Sequence, residues 1–95
     1  MENFPYLNEA MSQVIVRLRK KAGYSQQKLA EISSITRVYL LQLEQGKFRP
    51  TLNSIFFLAK GLDIPPEQFV ELIEKERKKI EKSQPKTAES KETIA

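Results

Sequence analysis

Between Ser25 and Gly46 the chain carries two helix-start signals and a helix-stop signal so close together that only two short helices and a tight turn can fit. Ser25 and Thr36 are hydroxyl residues of the kind that accept a hydrogen bond from the free N–H groups of a first helical turn. After Ser25, the residues Leu29, Ala30 and Ile32 form an inward set, and the small Ala30 lets a crossing helix come close. Ser33-Ser34 makes the turn, and Ile35, just before Thr36, is placed to staple it to the helix that follows. In that second helix Tyr39, Leu40 and Leu43 make the buried stripe, which turns Arg37, Val38, Leu41, Gln42 and Gln45 outward. Gly46 closes it.

The remainder reads as support for this unit. Residues 1–7 form an arm broken by Pro5, with Phe4, Tyr6 and Leu7 apolar enough to cover their own core or to pack on a partner subunit. Asn8 is the expected cap of a first helix, whose buried face is Met11, Val14, Ile15, Leu18 and Ala22. Arg17, Lys20 and Lys21 fall on its other side, and Gly23 stops it. Lys47-Phe48-Arg49-Pro50 is a basic loop. Thr51 caps a fourth helix bearing Leu52, Ile55, Phe56, Leu58 and Ala59 and ending at Gly61. Pro65-Pro66 opens a fifth, with Pro66 suited to the first turn and Phe69, Leu72 and Ile73 as its apolar face. Glu71–Lys75 and Glu74–Lys78 pairs support it through a polar stretch to about Lys82. Residues 83–95 have no apolar period and are expected to be disordered. The expectation is therefore an all-α domain of five helices over residues 8–82, preceded by the arm and followed by the tail.

Composition narrows the function. Ninety-five residues make one small domain. The net charge is +4, and its distribution matters more than its size: residues 1–50 hold eight Lys/Arg against four acids, residues 51–95 eight against eight. The excess sits in the half that carries the paired helices, which suits a polyanionic partner. There is no cysteine and no histidine, so disulfides, thiolate metal sites and the commonest general base are excluded, and neither metal nor cofactor is expected. No apolar run approaches the roughly 20 residues of a membrane span. The start of the chain lacks the basic-then-apolar pattern of a signal peptide, which fits a cytoplasmic protein.

The spacing of Arg19, Gly23, Ser25-Gln26, Leu29-Ala30, Tyr39-Leu40, Leu43-Glu44, Gly46, Pro50-Thr51-Leu52 and Leu58-Ala59-Lys60 resembles the lambda/434 repressor–Cro-like family, also called the Xre-type helix-turn-helix family. The resemblance runs from about residue 12 to 72 and implies a five-helix lambda-repressor-like fold. It also implies site roles. Gln26 would touch a DNA phosphate, with the helix starts at Ser25 and Thr36 and the loop residues Lys47 and Arg49 on the backbone. Arg37, Val38 and Gln42 would read base edges, and their chemistry agrees: Arg suits guanine, Gln suits adenine and Val suits the thymine methyl. Arg19 and Glu44 would form a largely buried ion pair that holds the second helix of the motif at its docking angle. Two residues depart from the family pattern. Ser34 stands where glycine is usual, although serine tolerates a positive φ poorly, and Leu41 stands where a small or polar residue is usual.

These features point to a sequence-specific, double-stranded-DNA-binding transcriptional regulator that acts as a homodimer on a palindromic operator. The alternative is an antitoxin-type interaction module that holds a partner protein and binds DNA secondarily. Val70 and Ile80 lack an obvious internal use, because Phe69, Leu72 and Ile73 already fill one stripe and the helix is expected to run past the body of the domain beyond about Lys75. Val70, Ile80 and the Phe4/Tyr6 arm are therefore the candidate dimer surface. An enzyme is not expected.

Overall fold

The computed structural model describes residues 2–84. Five helices follow one another: α1 (Leu7–Ala22), α2 (Gln26–Ile32), α3 (Arg37–Glu44), α4 (Leu52–Gly61) and α5 (Pro66–Ser83), with no strand among the described residues. α1 is the central element, packing most extensively on α5 and then on α3. α2 lies on α3, and α4 bridges α5 and α2. Each helix sends apolar side chains to one core: Ala10, Met11, Val14 and Ile15 from α1, Leu29 and Ala30 from α2, Leu40 and Leu43 from α3, Ile55, Leu58 and Ala59 from α4, and Phe69 and Ile73 from α5.

Three helices begin as the sequence predicts. The side chains of Ser25, Thr36 and Thr51 each accept the backbone N–H three residues on, at 3.0 Å. The first four helices also share one way of stopping. A residue in the left-handed region follows each of them: Gly23 (φ 78°), Ser34 (φ 55°), Gly46 (φ 73°) and Asp63 (φ 60°). The next N–H then reaches back five residues, from Tyr24 to Arg19, Ile35 to Ala30, Lys47 to Gln42 and Ile64 to Ala59, at 3.0–3.1 Å. This is the Schellman closure, and it satisfies carbonyls that a helix end would otherwise strand. Ser34 makes the turn without glycine, in a conformation that disfavours an L-residue by roughly 1–2 kcal/mol.

The structure corrects several expectations. α1 starts at Leu7, within the expected arm, and its cap position is Tyr6 (φ 61°) rather than Asn8. A turn in which the Leu7 N–H bonds the Phe4 carbonyl sets this start, and Leu7 packs on the core. Asn8 lies inside the helix, with a buried side-chain oxygen that has no partner. Ala22 is exposed. On α4, Leu52 and Phe56 face solvent, because Ser54, Ile55, Leu58, Ala59 and Gly61 already form the buried side. α4 does end at Gly61, as the sequence predicts, but the left-handed residue that closes it is Asp63, and Gly61 is also a point of close approach, where a Cβ would collide with Ser33 Oγ and lie 3.3 Å from Ile32 Cγ1.

α5 does not leave the body after Lys75. Glu76 and Arg77 are buried, and Ile80 packs against the domain's own core, so it has the internal use that its spacing did not suggest. Arg17 Nη1 donates to Glu76 Oε1 at 3.1 Å, tying α5 to α1. The ion pairs along α5 are Glu74–Arg77, Arg77–Glu81 and Glu76–Lys79 rather than Glu71–Lys75 and Glu74–Lys78. Arg77 wins Glu74 because its fork reaches both carboxylate oxygens, at 2.7 and 3.0 Å, and this hydrogen bonding holds the Glu74 carboxyl below its usual range. The Arg77 guanidinium also stacks over the Phe4 ring at 4.9 Å, which lays the arm against α5. Of the expected tail, Ser83 ends α5 and Gln84 follows it, and the rest lies outside the described residues.

The α2–α4 contact yields a stability test. Gly61→Ala gains about 1 kcal/mol of helix propensity but overpacks the Ser33 contact, which typically costs 1–3 kcal/mol. Ser33 Oγ is buried without a hydrogen-bond partner, so Ser33→Ala is expected to be neutral or stabilising. Urea melts should therefore show Gly61→Ala below the parent and the Ser33→Ala/Gly61→Ala double variant above Gly61→Ala alone.

Candidate nucleic-acid interface

The outward face of α3 is built by what its inward face is tied to. Leu40 and Leu43 are fully buried, and Tyr39 OH meets Ser54 Oγ of α4 at 3.2 Å. The last residue, Glu44, is held at both ends. Its carboxylate takes Arg19 Nε at 2.7 Å and Arg19 Nη2 at 3.1 Å. The remaining Arg19 nitrogen, Nη1, donates to the Tyr24 carbonyl at 3.0 Å. Gln26 Nε2 of α2 donates to Glu44 Oε1 at 3.0 Å, and Ser12 Oγ of α1 donates to the Glu44 backbone carbonyl at 2.7 Å. The Arg19 and Glu44 side chains are only 12% and 5% exposed. The one acid of α3 is thereby matched and turned away from the helix's outer surface.

What remains outward is one cation, two amides and two apolar side chains. Arg37, Val38, Leu41 and Gln45 are exposed and Gln42 is half-buried. Ser25 and Thr36 use their oxygens to cap α2 and α3, and each hydroxyl keeps its own proton to donate. Lys47 and Arg49 stand exposed in the loop after α3, with Phe48 between them. Gln26 is placed differently from a free phosphate contact. One N–H of its amide is engaged by Glu44, so a second N–H is what it can offer to solvent. Sequence reasoning missed Ser12 and the Gln26–Glu44 bond. Ser12 could have been found, because it precedes Arg19 by seven residues and so lies two turns away on the same face of α1.

Of the four expected dimer residues, Val70 and Phe4 are exposed and Tyr6 and Ile80 are half-buried. The most exposed large apolar side chains on the neighbouring helices are Leu52 (70%), Phe56 and Val70. A groove of about 310 Å³ runs between α1, α4 and α5, with Leu52 and Val70 on its walls and Met11 and Ile73 beneath. Among the described residues no cluster of acids could hold a metal ion, and no helix is long and apolar enough to cross a membrane.

The Glu44 cluster makes a second prediction. Glu44→Gln leaves the Arg19 guanidinium facing a neutral amide in a mostly buried site, a change of the kind that costs about 3–5 kcal/mol. Replacing both partners by apolar residues, Arg19→Met with Glu44→Leu, strands no charge and should recover much of the loss. Thermal melts decide it: single variants that melt like the parent would show that the pair contributes nothing.

Comparison with known proteins agrees with this geometry. A helix-turn-helix family model matches residues 15–69. The chain is 31% identical over 70 residues to the HTH-type transcriptional regulator SutR of Escherichia coli (strain K12), an alignment covering 74% of this chain and 38% of SutR. The chain thus spans under two fifths of the length of that curated relative. Among solved structures it resembles the restriction–modification controller protein C.AhdI from Aeromonas hydrophila, with 35% identity and a TM-score of 0.61 over 63% of this chain and 91% of that one. It also resembles the controller C.Esp1396I, solved as a tetramer in complex with its natural 35 base-pair operator, with 32% identity and a TM-score of 0.70 over 80% of this chain and 97% of that one. With more than half of its residues matched by the family model, and with the capped pair α2–α3 at its centre, this protein belongs to the helix-turn-helix family.

Proposed function

We propose that this protein is a sequence-specific DNA-binding transcriptional regulator that acts as a homodimer on a palindromic operator. The observation that carries the reading is the outward face of α3. It presents a guanidinium, two amides and two apolar groups with no acid among them, because Arg19 has drawn Glu44 inward. These groups match the donor, acceptor and methyl pattern of the major groove. Arg37, Val38 and Gln42 read bases, while Ser25, Thr36, Gln26, Lys47 and Arg49 meet phosphates. The controller C.Esp1396I, bound to its operator as a tetramer, supports the same reading by likeness.

One such helix touches only a few base pairs, so a two-fold pair of half-sites gives useful affinity. The surface that favours self-association is Leu52 and Phe56 of α4 with Val70 of α5, a patch that moves the expected interface away from Ile80 and towards the groove. We also read the protein as non-enzymatic. It has no His or Cys, and the two most buried carboxylates among the described residues, Glu44 and Glu76, are each bonded to an arginine. The same reading makes it a cytoplasmic protein.

Selection from a random pool of duplex DNA tests the reading, with an enriched palindrome as the expected result. On that operator Arg37→Ala and Gln42→Ala should each lose about 1–3 kcal/mol and relax preference at one base position. Lys47→Ala should weaken binding to all sequences alike and flatten the salt dependence by about one unit. Identical behaviour of Arg37→Ala and Lys47→Ala on specific and random DNA would refute these roles. Sedimentation at micromolar concentration should show a dimer that Val70→Glu splits, with helical content kept and tight operator binding lost. A parent that stays monomeric both free and on DNA would refute the dimer.

A further inference from the structure

We infer that Leu41, together with Val38, reads the C5-methyl groups of pyrimidines, so that the operator carries thymines opposite the middle of α3. This rests on the DNA-reading role proposed above and specifies its target chemistry. Val38 is 65% exposed and Leu41 36%, and neither is needed inside, where Leu40 and Leu43 already fill the inward side. Leu41 lies one turn after Arg37 and one turn before Gln45, three residues from Val38, so the apolar pair sits in the centre of the outward face with polar readers around it. That setting suits a base edge better than a protein partner, which would have to cover Arg37, Gln42 and Gln45 as well. The apolar groove of this protein is elsewhere, between α1, α4 and α5.

In the major groove the pyrimidine C5-methyl is the apolar group that a base edge presents. Val38 and Leu41 are separated by about 4.5 Å along the helix axis, a little more than one base-pair step of about 3.4 Å. Their methyl targets therefore fall on adjacent or next-adjacent pairs. A reader that works by apolar contact responds to the methyl group itself. It should reject uracil in place of thymine, and it should prefer 5-methylcytosine to cytosine.

The test uses the operator enriched from the random pool. Each thymine is replaced in turn by deoxyuridine, which removes one methyl and leaves the hydrogen-bonding edge intact. The unaltered protein should lose affinity about fourfold at two closely spaced positions, the effect of exposing one buried methyl. Leu41→Ala should bind the thymine operator more weakly and be indifferent to deoxyuridine at one of those positions, which is the coupling a direct contact requires. With cytosine at that position, the parent should bind the C5-methylated duplex about fourfold tighter than the unmethylated one. Deoxyuridine substitutions that are silent for the parent, or a Leu41→Ala loss that is equal on both operators, would overturn the inference while leaving the DNA-reading role intact. A pool that yields no enriched sequence would overturn the DNA-reading role itself, and this assignment with it. The deoxyuridine series needs no altered protein, so a silent series overturns the inference even if Leu41→Ala folds poorly.

Discussion

A carboxylate taken out of water must be matched by charge and hydrogen bonds, and Glu44 meets that demand in a way that fixes the arrangement of three helices. Arg19 fills both carboxylate oxygens in fork geometry, Gln26 adds a third hydrogen bond from α2, and Ser12 holds the backbone carbonyl. Because an arginine fork tolerates little rotation, this contact sets the angle of α1 about its own axis. Arg17 lies two residues earlier, about 200° around the helix, and so points to the opposite side, where it finds Glu76 of α5. α1 is thus held from both flanks, by one arginine towards α3 and another towards α5. A buried pair of this kind is weak evidence for net stability, and its contribution here is to geometry.

The sequence made the α2–α3 unit legible because its signals are local. The hydroxyl caps, the turn and the closing Gly46 act within a few residues of where they stand, and the structure shows the hydrogen bonds that they predict. The Arg19–Glu44 pairing was legible only through the family resemblance, since nothing in the chain says that residues so far apart meet. The misreadings arose where a long-range fact overrides a local one. α4 holds more large apolar residues than one face can bury, and the side that meets α5 and α2 is that of Ile55, Leu58 and Ala59, so Leu52 and Phe56 stay outside. Gly61 reads as a helix stop and α4 does end there, but no local signal shows that its lack of a Cβ also serves a crossing with Ser33. The polar end of α5 reads as projecting from the body, whereas Arg77 buries itself by carrying two acids and an aromatic ring with it.

The candidate surfaces are set on different elements. The proposed reading face belongs to α3 and the start of α2, and the apolar groove belongs to α1, α4 and α5. The link between them runs through Tyr39 and Ser54, and through the shared core, rather than through a movable hinge. On this arrangement a second copy docked at the groove would add avidity without reshaping the helix that reads.

The eight residues of α3 divide by duty. Tyr39, Leu40, Leu43 and Glu44 hold the helix, half-buried Gln42 lies at its edge, and Arg37, Val38 and Leu41 look outward with little internal packing to protect. Exposed positions of that kind usually tolerate exchange within about 0.5 kcal/mol of stability. On the proposed role, descendants of this chain can drift to new operators by changing the outward residues while the anchoring set keeps the fold. Proposed recognition and foldability are then inherited on opposite sides of the same helix, and selection can act on one with little penalty to the other.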